Sequence, residues 1–177
     1  MTVADFNTDF QFSLGEREQF DISILQRVIS KCVTVEKTTE ELDRKGIDYI
    51  ATLENGAEIY IDAKTRRTVR CVDGSPELAL EIWSVKPTNG NKGKIGWTLN
   101  TETNVDMILY TFPKDKWEYF YLIPFQFLRM AFQANGREWM KKYRRSVQEN
   151  GTWQSECMFV PAHVVLDSVS KQMSGAA

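Results

Sequence analysis

The stretch GIDYIATLENGAEIYIDAK, residues 46–64, decides how this chain is read. Ile47, Tyr49, Ala51 and Leu53 alternate with Asp48, Ile50 and Thr52, and after Asn55-Gly56 the period of two resumes as far as Lys64. Two alternating runs around an Asn-Gly pair predict a β-hairpin. Its register can be argued from the side chains. A two-residue turn at Asn55-Gly56 sets Asp48 opposite Ala63 and lays a charged face against an apolar one. A three-residue loop, Glu54-Asn55-Gly56 with Gly56 left-handed, pairs Leu53 with Ala57 and Asp48 with Asp62. Ile47, Tyr49, Ala51 and Leu53 then share a face with Ala57, Ile59, Ile61 and Ala63. Because a one-residue slip reverses every side chain, the apolar pattern selects the three-residue loop.

The opposite face carries Asp48, Ile50 and Thr52 against Glu58, Tyr60, Asp62 and Lys64. Opposed side chains on paired strands lie roughly 5 Å apart at Cβ, so Asp48 and Asp62 are expected side by side. Two like charges in that position destabilise the strand pair unless a cation lies between them. Mg²⁺ takes hard carboxylate oxygens and keeps several waters, which two aspartates on a strand pair would suit. Lys64, two residues beyond Asp62, is placed to orient or help deprotonate a metal-bound water and to offset phosphate charge. The plain alternative is a solvated strand face.

Composition narrows the chemistry from another side. The 177 residues are 42% hydrophobic and 26% charged, with a formal net charge of −2. At roughly 150 residues per domain this predicts one domain over residues 1–177, and the apolar fraction excludes a disordered chain. A single His163 excludes a two-histidine metal site, and excludes a Ser-His pair unless His163 is in it. Cys32, Cys71 and Cys157 show no C-x-x-C spacing, against zinc knuckles and disulfide frameworks. Carboxylates and lysine are left to do any chemistry. The first dozen residues carry Asp5 and Asp9 and no basic residue, unlike a signal peptide. The longest apolar stretch, residues 119–132, includes Pro124, Gln126 and Arg129 and is too short to span a bilayer. The expectation is a soluble, cytoplasmic protein with no membrane partner.

Around the hairpin the pattern alternates between helix and strand. Phe20, Ile24, Val28 and Cys32, with Leu25 and Ile29 beside them, predict a helix over residues 16–32, and Ser13 with Glu16 has capping-box spacing. Residues 34–45 read as a connecting loop or short helix. Residues 78–85 are ambiguous between helix and strand, and the Gly/Asn/Lys-rich residues 87–96 read as an exposed loop. Residues 105–112 and 117–123 are expected strands joined by Pro113-Lys114-Asp115. A helix after Pro124 is expected to break at Gly136, followed by a basic helix over residues 137–148 and a last helix after Pro161. The whole is an α/β (mixed α+β) domain, one central mixed sheet flanked by helices.

Gly46-Ile47-Asp48, a hairpin, then Ile61-Asp62-Ala63-Lys64, after a helix, resembles the core of the PD-(D/E)XK nuclease superfamily, the restriction-endonuclease-like fold. The resemblance covers the order of elements over residues 16–112, and small phage-encoded members are similar in scale. It implies a metal-dependent nuclease hydrolysing phosphodiester bonds, DNA before RNA, in a phage-infected host cell. By resemblance Asp48 and Asp62 would hold Mg²⁺ or Mn²⁺ with the Ala63 carbonyl as a third ligand, and Lys64 would be the catalytic lysine. A first-helix glutamate often joins such sites; Glu16 or Glu18 could match, with Glu18 preferred. The superfamily's second motif often ends Glu-x-Lys, where this chain has Asp62.

Arg66, Arg67 and Arg70 follow the Lys64 strand where the neighbours of a scissile phosphate would lie, and are taken as nucleic-acid-binding. Lys86, Lys92 and Lys94 decorate the Gly/Asn loop, and Lys141, Lys142, Arg144 and Arg145 cluster late in the chain. Trp97 could stack a base, and Glu81 could add a metal ligand if residues 78–85 form a strand. The second reading is a catalytically silent nuclease-fold protein that binds nucleic acid or inhibits a protein partner in phage–host conflict, for which the acidic pI of about 5.6 speaks. A homodimer is compatible with either.

Overall fold

The computed structural model describes residues 16–66, 68–112 and 120–175. Ser13, Arg67, Pro113-Lys114-Asp115 and Trp117 lie outside the described residues. Contacts divide the chain into two compact units, Met1–Ala63 with Asn104–Leu109, and Lys64–Thr103 with Tyr110–Ala177. The mixed α/β class holds, but with two sheets where one central sheet was expected.

The first unit opens with α1 (Glu16–Val28), β1 (Cys32–Lys37), the single-turn α2 (Glu40–Asp43), β2 (Tyr49–Leu53) and β3 (Glu58–Thr65), whose last two residues enter the second unit. The hairpin register is the one its apolar pattern selects. Tyr49 faces Ile61, Ala51 faces Ile59 and Thr52 faces Glu58, and the Leu53 N–H donates to the Ala57 carbonyl at 2.9 Å. Gly56 has φ +80°, the left-handed conformation the three-residue loop requires. Ile47, Tyr49, Ala51, Ile61 and Ala63 are buried with Ile24, Leu25 and Ile29 of the preceding segment. A Cβ on Gly56 would meet nothing within 4 Å, so the cost of a side chain there is purely conformational. Gly56→Ala is expected to lower stability by about 1–2 kcal/mol in urea unfolding, and Gly56→Asn by less, since Asn tolerates this region.

Three readings need correction in this unit. α1 stops at Val28 rather than reaching Cys32, and Val28 is exposed. The buried stripe runs through Asp21, Ile24, Leu25 and Ile29, rotated from the expected Phe20–Ile24–Val28 line. Residues 34–37 belong to β1, antiparallel to β2; as an edge strand with only Val35 buried, it lacks the alternation that would announce it.

The second unit holds β4 (Cys71–Val72), β5 (Ser75–Val85), β6 (Lys94–Ile95), one 3-10 turn (Trp97–Leu99), the end of β7 (Met107–Thr111), β8 (Phe120–Pro124), α3 (Phe125–Lys142), β9 (Arg145–Asn150), β10 (Trp153–Pro161) and α4 (Ala162–Gly175). Its own sheet runs β4-β5-β10-β9, with β6 on β5, and every pairing described in it is antiparallel. Residues 78–85 are therefore strand, inside the longest strand described. The expected break at Gly136 does not occur. α3 runs straight through Gly136, where a Cβ would sit 3.1 Å from the Phe132 ring, so the glycine lies in a tight contact inside the helix instead of ending it. Nor do residues 137–148 form one basic helix; α3 ends at Lys142, and Arg145–Asn150 is the edge strand β9, paired to β10 around Gly151 at φ +70°.

In the other sheet, ordered β1-β2-β3-β7-β8, β3 and β7 each contribute residues to both units. The Asp106 N–H donates to the Tyr60 carbonyl and the Arg66 N–H to the Thr111 carbonyl. The partners advance together along the chain, the sign of parallel strands, so this sheet is mixed as expected. Among the described residues no helix is long and apolar enough to cross a membrane.

Candidate active site

Asp48 stands at the point where the β2–β3 ladder gives way. Its N–H donates to the Ile61 carbonyl and its carbonyl accepts the Thr38 N–H, both at 2.9 Å, while the Thr38 hydroxyl donates to the Ile47 carbonyl. The Ala63 N–H, left without a carbonyl across the ladder, donates instead to Asp48 Oδ2 at 2.6 Å. This short, charge-assisted bond fixes the carboxylate against β3 and leaves its other oxygen for a ligand. The described register ends at Tyr49–Ile61, and because the Asp48 N–H also turns to the Ile61 carbonyl, the expected Asp48–Asp62 pair is not part of the ladder; Asp62, the next residue of β3, is only 4% exposed. The Ala63 carbonyl accepts a long hydrogen bond, 3.5 Å, from Arg17 Nη2.

These are hard oxygen donors, two carboxylates and one carbonyl, and they suit a cation that keeps most of its waters. They do not make a full protein cage. Among the described residues no group of three or more His, Cys, Asp or Glu side chains is gathered closely enough to hold a metal.

Lys64 is two residues beyond Asp62 on β3 and shares its face by strand alternation. By its contacts it belongs to the second unit, where Nζ lies 5.6 Å from the centre of the Trp97 ring. Trp97 is thus engaged by a lysine, and its backbone N–H donates to Glu81 Oε2 at 3.1 Å. The Glu81 carboxylate also accepts the Ser84 hydroxyl at 2.7 Å, so it ties the 3-10 turn to β5.

Glu18 ion-pairs with Lys37 of β1 at 3.2 Å. The α1 carboxylate that is fully buried is Asp21, four residues after Arg17, which sits 3.5 Å from Asp21 Oδ2. Asp21 Oδ2 accepts the Tyr49 hydroxyl at 3.2 Å, and Oδ1 has no hydrogen-bond partner among the described residues. Burial pushes the Asp21 carboxyl up to about 6; Arg17 and the Tyr49 hydroxyl pull it down, and the charge of Asp48 adds to the rise. Burial likewise raises the Tyr49 phenol, which stays neutral and donates. Asp21 was not among the expected site residues. The clue lay in the i, i+4 pair Arg17–Asp21 beside the apolar positions Ile24, Leu25 and Ile29.

Arg66 and Arg70 lie in the second unit, against Phe159 and Glu77 respectively, and Arg67 lies outside the described residues. Cys157 offers no competing nucleophile. Burial, helped by the charge of Glu81, pushes its thiol up to about 11, so it is protonated at neutral pH. Comparison with family models, with curated proteins and with solved structures finds no match to this chain.

Proposed function

We propose that the protein is a metal-dependent nuclease that hydrolyses phosphodiester bonds, with DNA as the substrate tested first. The observation that carries the reading is Asp48 at the end of the β2–β3 ladder, its carboxylate bonded to the N–H of Ala63, the residue next to the buried Asp62. In a solvated strand face the acids would point to water; here one is bonded to the neighbouring backbone and the other is buried. Asp48, Asp62 and the Ala63 carbonyl would hold Mg²⁺ or Mn²⁺. When bound, the cation would polarise the phosphate and lower the pKa of a coordinated water. Lys64, an ammonium on the same face as Asp62, would position the attacking water and offset charge on the scissile phosphate.

Plasmid nicking in Mg²⁺ against chelator, with wild type and Lys64→Ala, tests this. The expected result is metal-dependent nicking that falls by roughly 10²–10³-fold in Lys64→Ala, the scale of removing one preorganised electrostatic group. Equal nicking by the two proteins would remove Lys64 from the mechanism. Binding of DNA without cleavage of any nucleic acid would favour the silent binding module, for which the pI of about 5.6 already speaks.

A further inference from the structure

Three arginines converge in the second unit, each pinned by main-chain bonds of a different segment. Arg66, just past β3, donates its N–H to the Thr111 carbonyl. Arg70, just before β4, accepts the Glu77 N–H at 2.9 Å on its carbonyl. Arg144, between α3 and β9, accepts the Phe159 N–H at 2.9 Å in the same way. On the sheet, Phe159 pairs with Ala79 and Pro161 with Glu77, so the Phe159 ring and the Glu77 carboxylate share a face.

The arginine heads gather there. Arg144 and Arg66 lie 3.8 and 4.9 Å from the centre of the Phe159 ring. Glu77 Oε2 is 3.3 Å from Arg144 Nη2 and 3.9 Å from Arg70 Nε. Glu77 is nearly buried, with a side chain 6% exposed, whereas Arg70 and Arg144 remain 63% and 41% exposed. Arg70 and Arg144 thus share one carboxylate, and Arg66 adds a third guanidinium at the Phe159 ring. The Arg66 Nε–H is buried and has no hydrogen-bond partner among the described residues, and a buried donor left unpaired is costly. A surplus of charge, a spare donor and planar forks held by an aromatic ring fit a tetrahedral oxyanion. If only Glu77 had to be neutralised, one arginine would suffice.

We propose that Arg66, Arg70 and Arg144 form a phosphate-binding site for a nucleic-acid backbone, in which Glu77 is the internal counter-ion that the phosphate competes with. The identity of the phosphate as nucleic acid rests on the nuclease reading; the anion site itself does not. Arg144 enters here through tertiary structure; in the sequence it stands only in the late basic cluster with Lys141, Lys142 and Arg145.

The test is fluorescence anisotropy of a labelled duplex DNA titrated with protein in chelator, over a range of salt. Arg70→Gln and Arg144→Gln should each weaken binding by up to about tenfold near ~0.1 M salt and reduce the slope of log K against log salt by about 0.9. Glu77→Gln should tighten binding, because it removes the competing anion; a purely structural ion pair predicts no such gain. Unchanged affinity and slope in Arg70→Gln and Arg144→Gln, with both proteins folded by circular dichroism, overturns the proposal. Should Arg144→Gln unfold, the exposed Arg70→Gln and the Glu77→Gln gain decide alone. Arginine-dependent thermal protection by inorganic phosphate, without DNA binding, would overturn the nucleic-acid assignment. Cleavage that persists while these variants bind normally defeats this inference and spares the nuclease reading. Arginine-dependent binding with no cleavage does the reverse.

Discussion

Asp48→Asn is expected to reduce Mg²⁺-dependent nicking by roughly 10²–10³-fold or more while leaving the fold intact. Asparagine keeps the shape of the side chain, and its carbonyl oxygen can still accept the Ala63 N–H now held at 2.6 Å. What it removes is charge. A neutral amide is a weaker ligand for a hard dication than a carboxylate, so calorimetric titration should show much weaker Mg²⁺ and Mn²⁺ binding. Without metal, the melting temperature should be unchanged or raised, since the amide keeps the Ala63 bond and removes a charge that acts on the buried Asp21. Loss of cleavage together with a large fall in melting temperature would mean that Asp48 is structural. Full cleavage by the variant would remove it from the site.

The second large effect concerns stability. Asp21 is fully buried and its carboxyl is raised from 3.8 to about 6, burial being the dominant cause. A carboxyl whose folded pKa exceeds its unfolded pKa favours folding in its protonated form. Stability from this group is therefore greatest below pH 3.8, falls as pH rises through the interval to about 6, and is lowest at neutral pH. The difference is about 3 kcal/mol. Asp21→Asn stays neutral and still accepts the Tyr49 hydroxyl. It should stabilise the protein by about that amount at pH 7 and by little at pH 4. Urea unfolding of both proteins across this range measures the difference. A destabilised Asp21→Asn at pH 7 would show that the Arg17 pair outweighs the cost of burial. Strain of this kind collects at functional sites, and Asp48 is one of the charges that raises Asp21.

The hairpin was legible in the sequence because two independent signals agree there. Strand alternation fixes which face is apolar, and Gly56 supplies the one left-handed residue the loop needs. Where only one signal exists, reading from sequence fails. Arg145–Asn150 is an exposed edge strand, so burial leaves no alternation in it and its charges also fit a solvated helix. Gly136 imitates a helix stop, yet it is a packing residue under Phe132. Asp21 occupies a position that the apolar stripe alone would assign to a hydrophobe. The arginines around Phe159 come from three separate segments, and no spacing in the chain could bring Arg144 to Arg66 and Arg70.

The two faces of the β2–β3 hairpin also bear on how such a chain can change through descent. Tyr49, Ala51 and Ile61 hold the fold from one side, while Asp62 and Lys64 lie on the other. Isosteric changes on the acidic side, aspartate to asparagine, keep the side-chain shape that packs there. A lineage could therefore lose the proposed chemistry in one or two steps and keep the scaffold, or regain it as easily. Active and silent descendants of one ancestor would be nearly indistinguishable in shape, and the hairpin's polar face would be the place to tell them apart.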